Sequence, residues 1–189
     1  MAQKRKDWNG LISGFKASDL VFLDESGCNT DMTRRYAYSL GGSRAVDSAP
    51  LSKPKNTTIL SSIQLDGTLR YTTFSGGTTV ERFKRYLETD LLPHLNGNSV
   101  LIMDNMKSHH VKAVRNLLDS SGVRYIYLPP YSPDLNPIEK LWSKVKSFLR
   151  KFKARTLDAL PNAIQCAFQT VSPSDCSGWF HSCGYSPYF

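Results

Sequence analysis

Leu20-Val21-Phe22-Leu23-Asp24 is a short, unbroken apolar run that stops at an acid. Such a run is too short for a typical helix and does not alternate, so it fits a strand buried on both faces. Val100-Leu101-Ile102-Met103-Asp104 repeats the pattern and again stops at an aspartate. If the two strands are parallel neighbours, they form the centre of an α/β sheet, and both acids open into the crevice at the strands' carboxyl ends.

The flanking segments extend that sheet. Thr57–Leu65 and Leu69–Phe74 are β-branched and aromatic, and Asp66-Gly67 between them is a hairpin signal. Thr78-Thr79-Val80-Glu81 has capping-box spacing, and Val80, Phe83, Leu87 and Leu91 recur at helical intervals up to Pro93 and Gly97. His110–Ser120 predicts a helix closed by Gly122, and Val123–Leu128 a third strand. Pro129-Pro130-Tyr131-Ser132-Pro133-Asp134-Leu135-Asn136-Pro137 is a stiff loop, with Asn136 a good N-cap and Pro137 suited to the first helical position. Ile138, Leu141, Trp142, Val145, Phe148 and Leu149 then stripe a helix to about Arg150. Thr156–Thr170 predicts a last helix, Ser172–Phe189 an aromatic loop, and Arg34–Pro50 a Gly/Ser/Arg-rich connection. The order of elements predicts an α/β domain with a mixed sheet, a hairpin at one edge and helices on the faces.

The chain of 189 residues is 40% hydrophobic and carries a formal charge of +8. That is enough apolar matter for one core and excludes intrinsic disorder. The positive surplus suits a polyanion, nucleic acid above all, bound in a salt-dependent way. A basic protein with no anionic partner is the other reading. No apolar run approaches the roughly 18 residues of a membrane span, and no signal core follows the basic Met1–Lys6. Cys28, Cys166, Cys176 and Cys183 lack paired spacing, so no disulfide framework is expected. Cys176, His181 and Cys183 are weak zinc candidates, and buried or incidental thiols are the preferred reading.

Asp24 and Asp104, facing each other across neighbouring strands, would repel, and a hard divalent cation such as Mg²⁺ relieves that repulsion. Glu139 stands about 100° round its helix from Ile138, at the edge of the apolar stripe, where it can reach the same crevice. Taken singly, each acid has a plainer reading. An aspartate after a strand also forms turns, and Glu139 also favours a helix start.

Three motifs together resemble the DDE transposases of the mariner superfamily, nearest to the bacterial insertion-sequence branch. They are Phe22-Leu23-Asp24-Glu25-Ser26-Gly27, Met103-Asp104-Asn105 with His109, and Leu128-Pro129-Pro130-Tyr131-Ser132-Pro133-Asp134-Leu135-Asn136-Pro137-Ile138-Glu139. Asp104 and Glu139 have 34 residues between them, a spacing typical of the superfamily. The ending Trp179-Phe180-His181-Ser182-Cys183-Gly184-Tyr185 is similar too, so the resemblance runs over nearly all the chain from Leu20.

The resemblance implies an RNase H-like fold and a catalytic, metal-binding triad of Asp24, Asp104 and Glu139. It also implies two Mg²⁺ or Mn²⁺ ions, with Asp24 bridging them. Asn105 and His109 match supporting positions, although a turn asparagine and a histidine near a helix start explain them equally well. Glu25 points to the opposite face of its strand and is not expected as a ligand. Implied chemistry is metal-dependent cleavage at DNA element ends and strand transfer into target DNA at TA, by a homo-oligomer in a synaptic complex. Lys140, Lys144, Lys146 and Arg150, followed by Lys151 and Lys153, are candidates for the DNA backbone, with a solvated helix face as the plainer alternative.

On this reading residues 1–19 are a lead-in, 20–155 the RNase H-like DDE catalytic domain, and 156–189 a closing helix and tail packed on it. Two features depart from the family. Only 23 residues precede Asp24, too few for a helix-turn-helix module, so end recognition is expected from a separate or frameshift-joined upstream product. Ala37-Tyr38 also replaces the usual glycine–aromatic wording. The competing expectations are a nuclease that no longer transposes and an inactive or domesticated DNA-binding remnant. The expected compartment is the bacterial cytoplasm, with the nucleoid DNA.

Overall fold

The computed structural model describes residues 2–34, 36–48, 50–51 and 54–185. Its strands are β1 (Leu20–Cys28), β2 (Thr57–Gln64), β3 (Leu69–Ser75), β4 (Val100–Met103) and β5 (Arg124–Tyr127). They form one sheet in the order β3-β2-β1-β4-β5. β1 runs parallel to β4, from Leu20 beside Val100 to Leu23 beside Met103, so the two apolar runs are neighbours as expected. β5 is parallel to β4, while β2 and β3 form the antiparallel hairpin edge. At the hairpin, Asp66 Oδ1 accepts the Thr68 amide at 2.8 Å and Gly67 has a φ of 91°. A Cβ on Gly67 would lie 2.9 Å from Pro173 Cα, so both the turn and the close packing require glycine.

The helices are α1 (Ala2–Ile12), α2 (Val80–Tyr86), α3 (Lys112–Ser121), α4 (Ile138–Phe152), α5 (Ala159–Gln169) and α6 (Pro173–Ser182). Each face of the sheet has its own core. Leu20 and Phe22 of β1, with Val100 and Ile102 of β4, pack in one core with residues of α1, α4, α5 and α6. Val21, Leu23, Leu101 and Met103 pack in the other, with residues of α2 and α3. Strand side chains alternate between faces, so the next two residues of β1 divide as well: Asp24 falls on the α4 face and Glu25 on the α2–α3 face.

β1 does not end at Asp24. It loses β4 after Leu23, yet β2 continues to pair it through to Cys28, so its backbone groups stay satisfied on that side. The cap of α2 is Thr79 rather than Thr78, accepting the Arg82 amide at 3.3 Å. That helix then widens into a π turn over Leu87–Leu91, which keeps Leu87 and Leu91 buried, and ends in a 3₁₀ turn over Leu92–His94. Asn136 does not cap α4 with its side chain; the helix starts at Ile138 without such a bond. Ile138, Leu141, Trp142, Val145 and Leu149 are all buried, at ~1.5–3 kcal/mol each, so the stripe rather than a cap positions α4.

The last correction concerns the tail. Ser172–Phe189 is not simply a loop, because α6 occupies Pro173–Ser182 behind a capping box of Ser172 and Asp175. Cys176 and Phe180, one turn apart, are buried, and the Phe180 ring meets Phe22 edge-on at 5.3 Å. Cys183 is also buried. Residues 186–189 lie outside the described residues. Near the other terminus, α1 places Trp8 in the core, where its indole N–H donates to Tyr185 at 3.2 Å. The 34–50 connection has no helix or strand among the described residues and exposes Tyr36, Tyr38, Leu40 and Val46. Among the described residues no helix is long and apolar enough to cross a membrane.

Candidate active site

At the point where β4 ends and β1 continues, the surface opens into a cavity of about 610 Å³. Asp24, Glu25, Asp104, Asn105 and Met106 line it from the sheet side, and residues 129–133, Asn136, Glu139, Trp142 and Lys146 from the other. The three acids singled out by sequence are thus brought to one cavity. Among the described residues no three His, Cys, Asp or Glu side chains are drawn closely enough together to hold an ion as they stand.

Asp24 is the buried acid, 7% exposed. Its Oδ1 accepts the Glu25 amide at 2.8 Å, while Oδ2 accepts Trp142 Nε1–H at 3.3 Å and Asn136 Nδ2–H at 3.4 Å. Burial pushes its carboxyl up to about 7; the Glu25 amide opposes this, and the charges of Asp104 and Glu139 add to it. Sequence reading missed both side-chain donors. Asn136 was expected to cap α4, and Trp142 was only a stripe residue. One signal was available: a buried indole N–H needs an acceptor, and no other stripe residue carries a polar group.

Asp104 follows β4 directly and is half-buried. Its Oδ1 accepts the Met106 amide at 3.2 Å and lies 2.8 Å from His109 Nδ1. His109 is wholly buried, stacked on Phe83 at 4.5 Å, and its carbonyl accepts the Tyr127 hydroxyl at 3.0 Å. Burial disfavours the imidazolium, but the hydrogen bond and charge of Asp104, helped by Glu25, raise the His109 pKa overall. Its Nε2 stands 3.9 Å from Glu25 Oε1, beyond hydrogen-bond reach. Burial lifts the Glu25 carboxyl above the usual range, against the pull of His109. Asn105 is exposed and meets His110 Nε2 at 2.5 Å.

Glu139, exposed in the first turn of α4, forms the third wall. At about 100° per residue, Lys146 and Arg150 return to the Glu139 side of α4. Lys146 lines the acid cavity, and with Arg150 it also lines a smaller polar cavity of about 380 Å³ beside Asn29 and Thr33. Lys140, Lys144 and Lys151 instead line a separate cavity, where Lys144 Nζ meets Asp175 at 2.6 Å. Lys153 Nζ meets Asp47 at 2.5 Å. The basic residues therefore divide: Lys146 and Arg150 stand beside the acids, and Lys140 and Lys144 do not.

The loop carrying Asn136 is braced from beneath. Asp134 pairs with Arg5 of α1, and the Leu135 carbonyl accepts the Tyr185 hydroxyl at 2.6 Å. Both chain ends thus bear on the geometry of the site.

The donor set suits a hard divalent cation. It consists of carboxylate oxygens, which Mg²⁺ and Mn²⁺ favour. Asp24 is costly to ionise unaided, because its burial and two neighbouring acids oppose its charge. The Asn136 Oδ1, buried in the same wall, has no hydrogen-bond partner.

A family model described as DDE superfamily endonuclease matches residues 19–161. The Transposable element Tc1 transposase of Caenorhabditis elegans is 29% identical over 97 residues, covering 49% of this chain and 36% of that protein. A pre-cleavage Mos1 transpososome superposes with a TM-score of 0.81 at 18% identity, over 100% of this chain and 63% of that one. The Mos1 mariner paired end complex with Mn superposes at 0.75 and 19% identity, over 95% of this chain and 58% of that one. These likenesses establish an RNase H-like fold, and the chain spans 36% to 63% of the length of these three relatives. With the family model covering both central strands, the hairpin and the whole acid-lined wall of α4, the chain belongs to the DDE superfamily endonucleases.

Proposed function

We propose that this chain is the catalytic part of a DNA transposase, which breaks phosphodiester bonds and transfers strands at the cavity of Asp24, Asp104 and Glu139. The observation carrying this reading is the buried Asp24 carboxylate, held by three donors and facing two further acids in an open cavity. Those three acids would hold Mg²⁺ or Mn²⁺, as a pair of ions. When bound, the ions supply an activated water or 3′-hydroxyl and neutralise charge on the leaving oxygen. Asn136 and Trp142 keep the Asp24 carboxylate aimed into the cavity, and buried His109 fixes the orientation of Asp104. Lys146 and Arg150 offer cations to the phosphates of the entering strand.

The Mn complex among the similar structures supports the choice of metal. The transpososome and paired-end assemblies among the similar structures support action on element ends in a synaptic complex; a homo-oligomer and strand transfer into TA targets are what the motif resemblance implies. The Leu128–Glu139 wording supports the bacterial insertion-sequence branch, and hence a site of action on nucleoid DNA in the cytoplasm. A helix-turn-helix segment would supply end recognition.

The test incubates the full chain with supercoiled DNA and pre-nicked duplex ends in Mn²⁺. The proposal predicts metal-dependent nicks together with joined strands. Nicks without joining would make the chain a nuclease, and binding without metal-dependent cleavage would make it a DNA-binding remnant.

A further inference from the structure

Resting on the reading of this cavity as a DNA-cutting site, we propose that the Tyr131 ring is a stacking platform for an unpaired base next to the scissile phosphate. Tyr131 lines the acid cavity yet is 87% exposed, and it belongs to neither apolar core. Its φ is 55°, a left-handed conformation that a bulky residue adopts only at a cost. Pro130 and Pro133 stiffen the loop on either side, and the Arg5–Asp134 and Tyr185–Leu135 contacts tie its base to the body of the fold. The chain therefore presents an aromatic face to solvent at a fixed place, in a conformation that its own stability does not favour. Strain held at a cavity rim is the pattern of a working position.

The chemistry of the rim narrows the ligand. Acids and Lys146 serve the phosphate side of a strand. Among the lining residues, the large apolar side chains exposed to solvent are Tyr131 and Met106. A phosphodiester lowered between the acids draws the adjoining nucleotide to the rim, where a base out of the duplex stack exposes its flat apolar faces. Stacking on an aromatic ring covers one of those faces and tolerates any base.

The experiment measures binding of the full chain to a fluorescein-labelled oligodeoxythymidine strand in Ca²⁺, and to a strand of the same length made wholly of abasic residues. Tyr131→Ala keeps the same Cβ and backbone demand while removing the ring. It should weaken binding to the intact strand by roughly five- to a hundred-fold. Tyr131→Phe should bind as the wild type does. On the wholly abasic strand, which offers no base to stack, wild type and Tyr131→Ala should bind equally. Tyr131→Gly should raise the melting temperature while losing the same affinity, since glycine accepts the positive φ.

Equal binding of wild type and Tyr131→Ala to the intact strand would overturn the stacking role and leave the DNA-cutting reading standing. A loss shared by Tyr131→Phe, or one that persists on the abasic strand, would overturn it too, by assigning the effect to the hydroxyl or the backbone. Failure of the wild type to bind any strand would overturn both readings together.

Discussion

The Trp142 indole N–H donates to Asp24 Oδ2 at 3.3 Å, joining the middle of the α4 stripe to the buried acid of β1. One side chain thus packs a helix and aims a carboxylate. Trp142→Phe keeps most of the apolar volume and removes only the donor. Loss of such an outer contact costs on the order of 10–100-fold in metal affinity or activity. The half-saturating Mg²⁺ concentration for DNA cleavage should rise by about that factor, and an unchanged Mg²⁺ titration would contradict the assigned role.

His109 should behave similarly toward Asp104. It is wholly buried, so His109→Ala removes both the contact to Asp104 at 2.8 Å and the stack on Phe83. A stability loss of about 3 kcal/mol is expected for an aromatic deletion in a core. His109→Phe restores the packing without the nitrogen. Thermal stability should recover while cleavage stays about ten-fold or more below wild type. Recovery of both together would reduce His109 to a packing residue.

Metal binding should depend on pH through Asp24. Its folded carboxyl is raised to about 7, so the folded chain holds a proton there that the unfolded chain releases near 4. Its contribution to stability is present below the unfolded pKa and lost as pH rises through about 7. A metal must displace that proton below pH 7, making affinity about ten-fold weaker per unit. The rise in melting temperature produced by Mg²⁺ should be clearly larger at pH 8 than at pH 6. Equal shifts at both pH values would contradict the buried acid's role.

Asp175 makes the opposite pH prediction, away from the site. The Lys144 ammonium and the Ser172 groups hold its carboxyl down to about 2. Its stabilising effect is therefore present above the ordinary carboxylate pKa and lost as pH falls through about 2. Asp175→Asn should lower the urea midpoint by the equivalent of about 1 kcal/mol at pH 6, mostly through the cap of α6. That difference should shrink below pH 4 while cleavage stays unchanged. A constant difference across pH would remove the ionic part of the account.

Lys146 and Lys144 separate the two basic faces of α4. Lys146 lines the acid cavity, whereas Lys144 is engaged by Asp175. Lys146→Ala should reduce the slope of log affinity against log salt by about 1, and Lys144→Ala should leave it nearly unchanged. The reverse result in an anisotropy titration would exchange their roles.

Much of this was legible in the chain itself. The matched runs before Asp24 and Asp104, the Asp66-Gly67 turn and the α4 stripe are local patterns, and each led to the observed element. What escaped depended on distant partners. β1 passes Asp24 because β2 pairs it from far along the chain. Asn136 has the composition of a cap, but Asp24 claims its amide across the fold. In the tail, Ser172 and Asp175 did spell a cap, but aromatics and Gly178 masked the helix, whose apolar side chains find their partner in Phe22. The basic residues of α4 read as one group in the chain, and they divide only once the fold places Glu139 beside Lys146 and Arg150.

The most direct test of the central claim compares wild type with Asp104→Ala on a pre-nicked DNA substrate in Mg²⁺ and in Mn²⁺, scoring cleaved and joined strands. Asp104 is only half-buried and lies just past the end of β4, so the variant should fold. Both cleavage and joining by the wild type should require the metal and fall to background in Asp104→Ala, with DNA binding retained. Equal cleavage by the two proteins would contradict the claim.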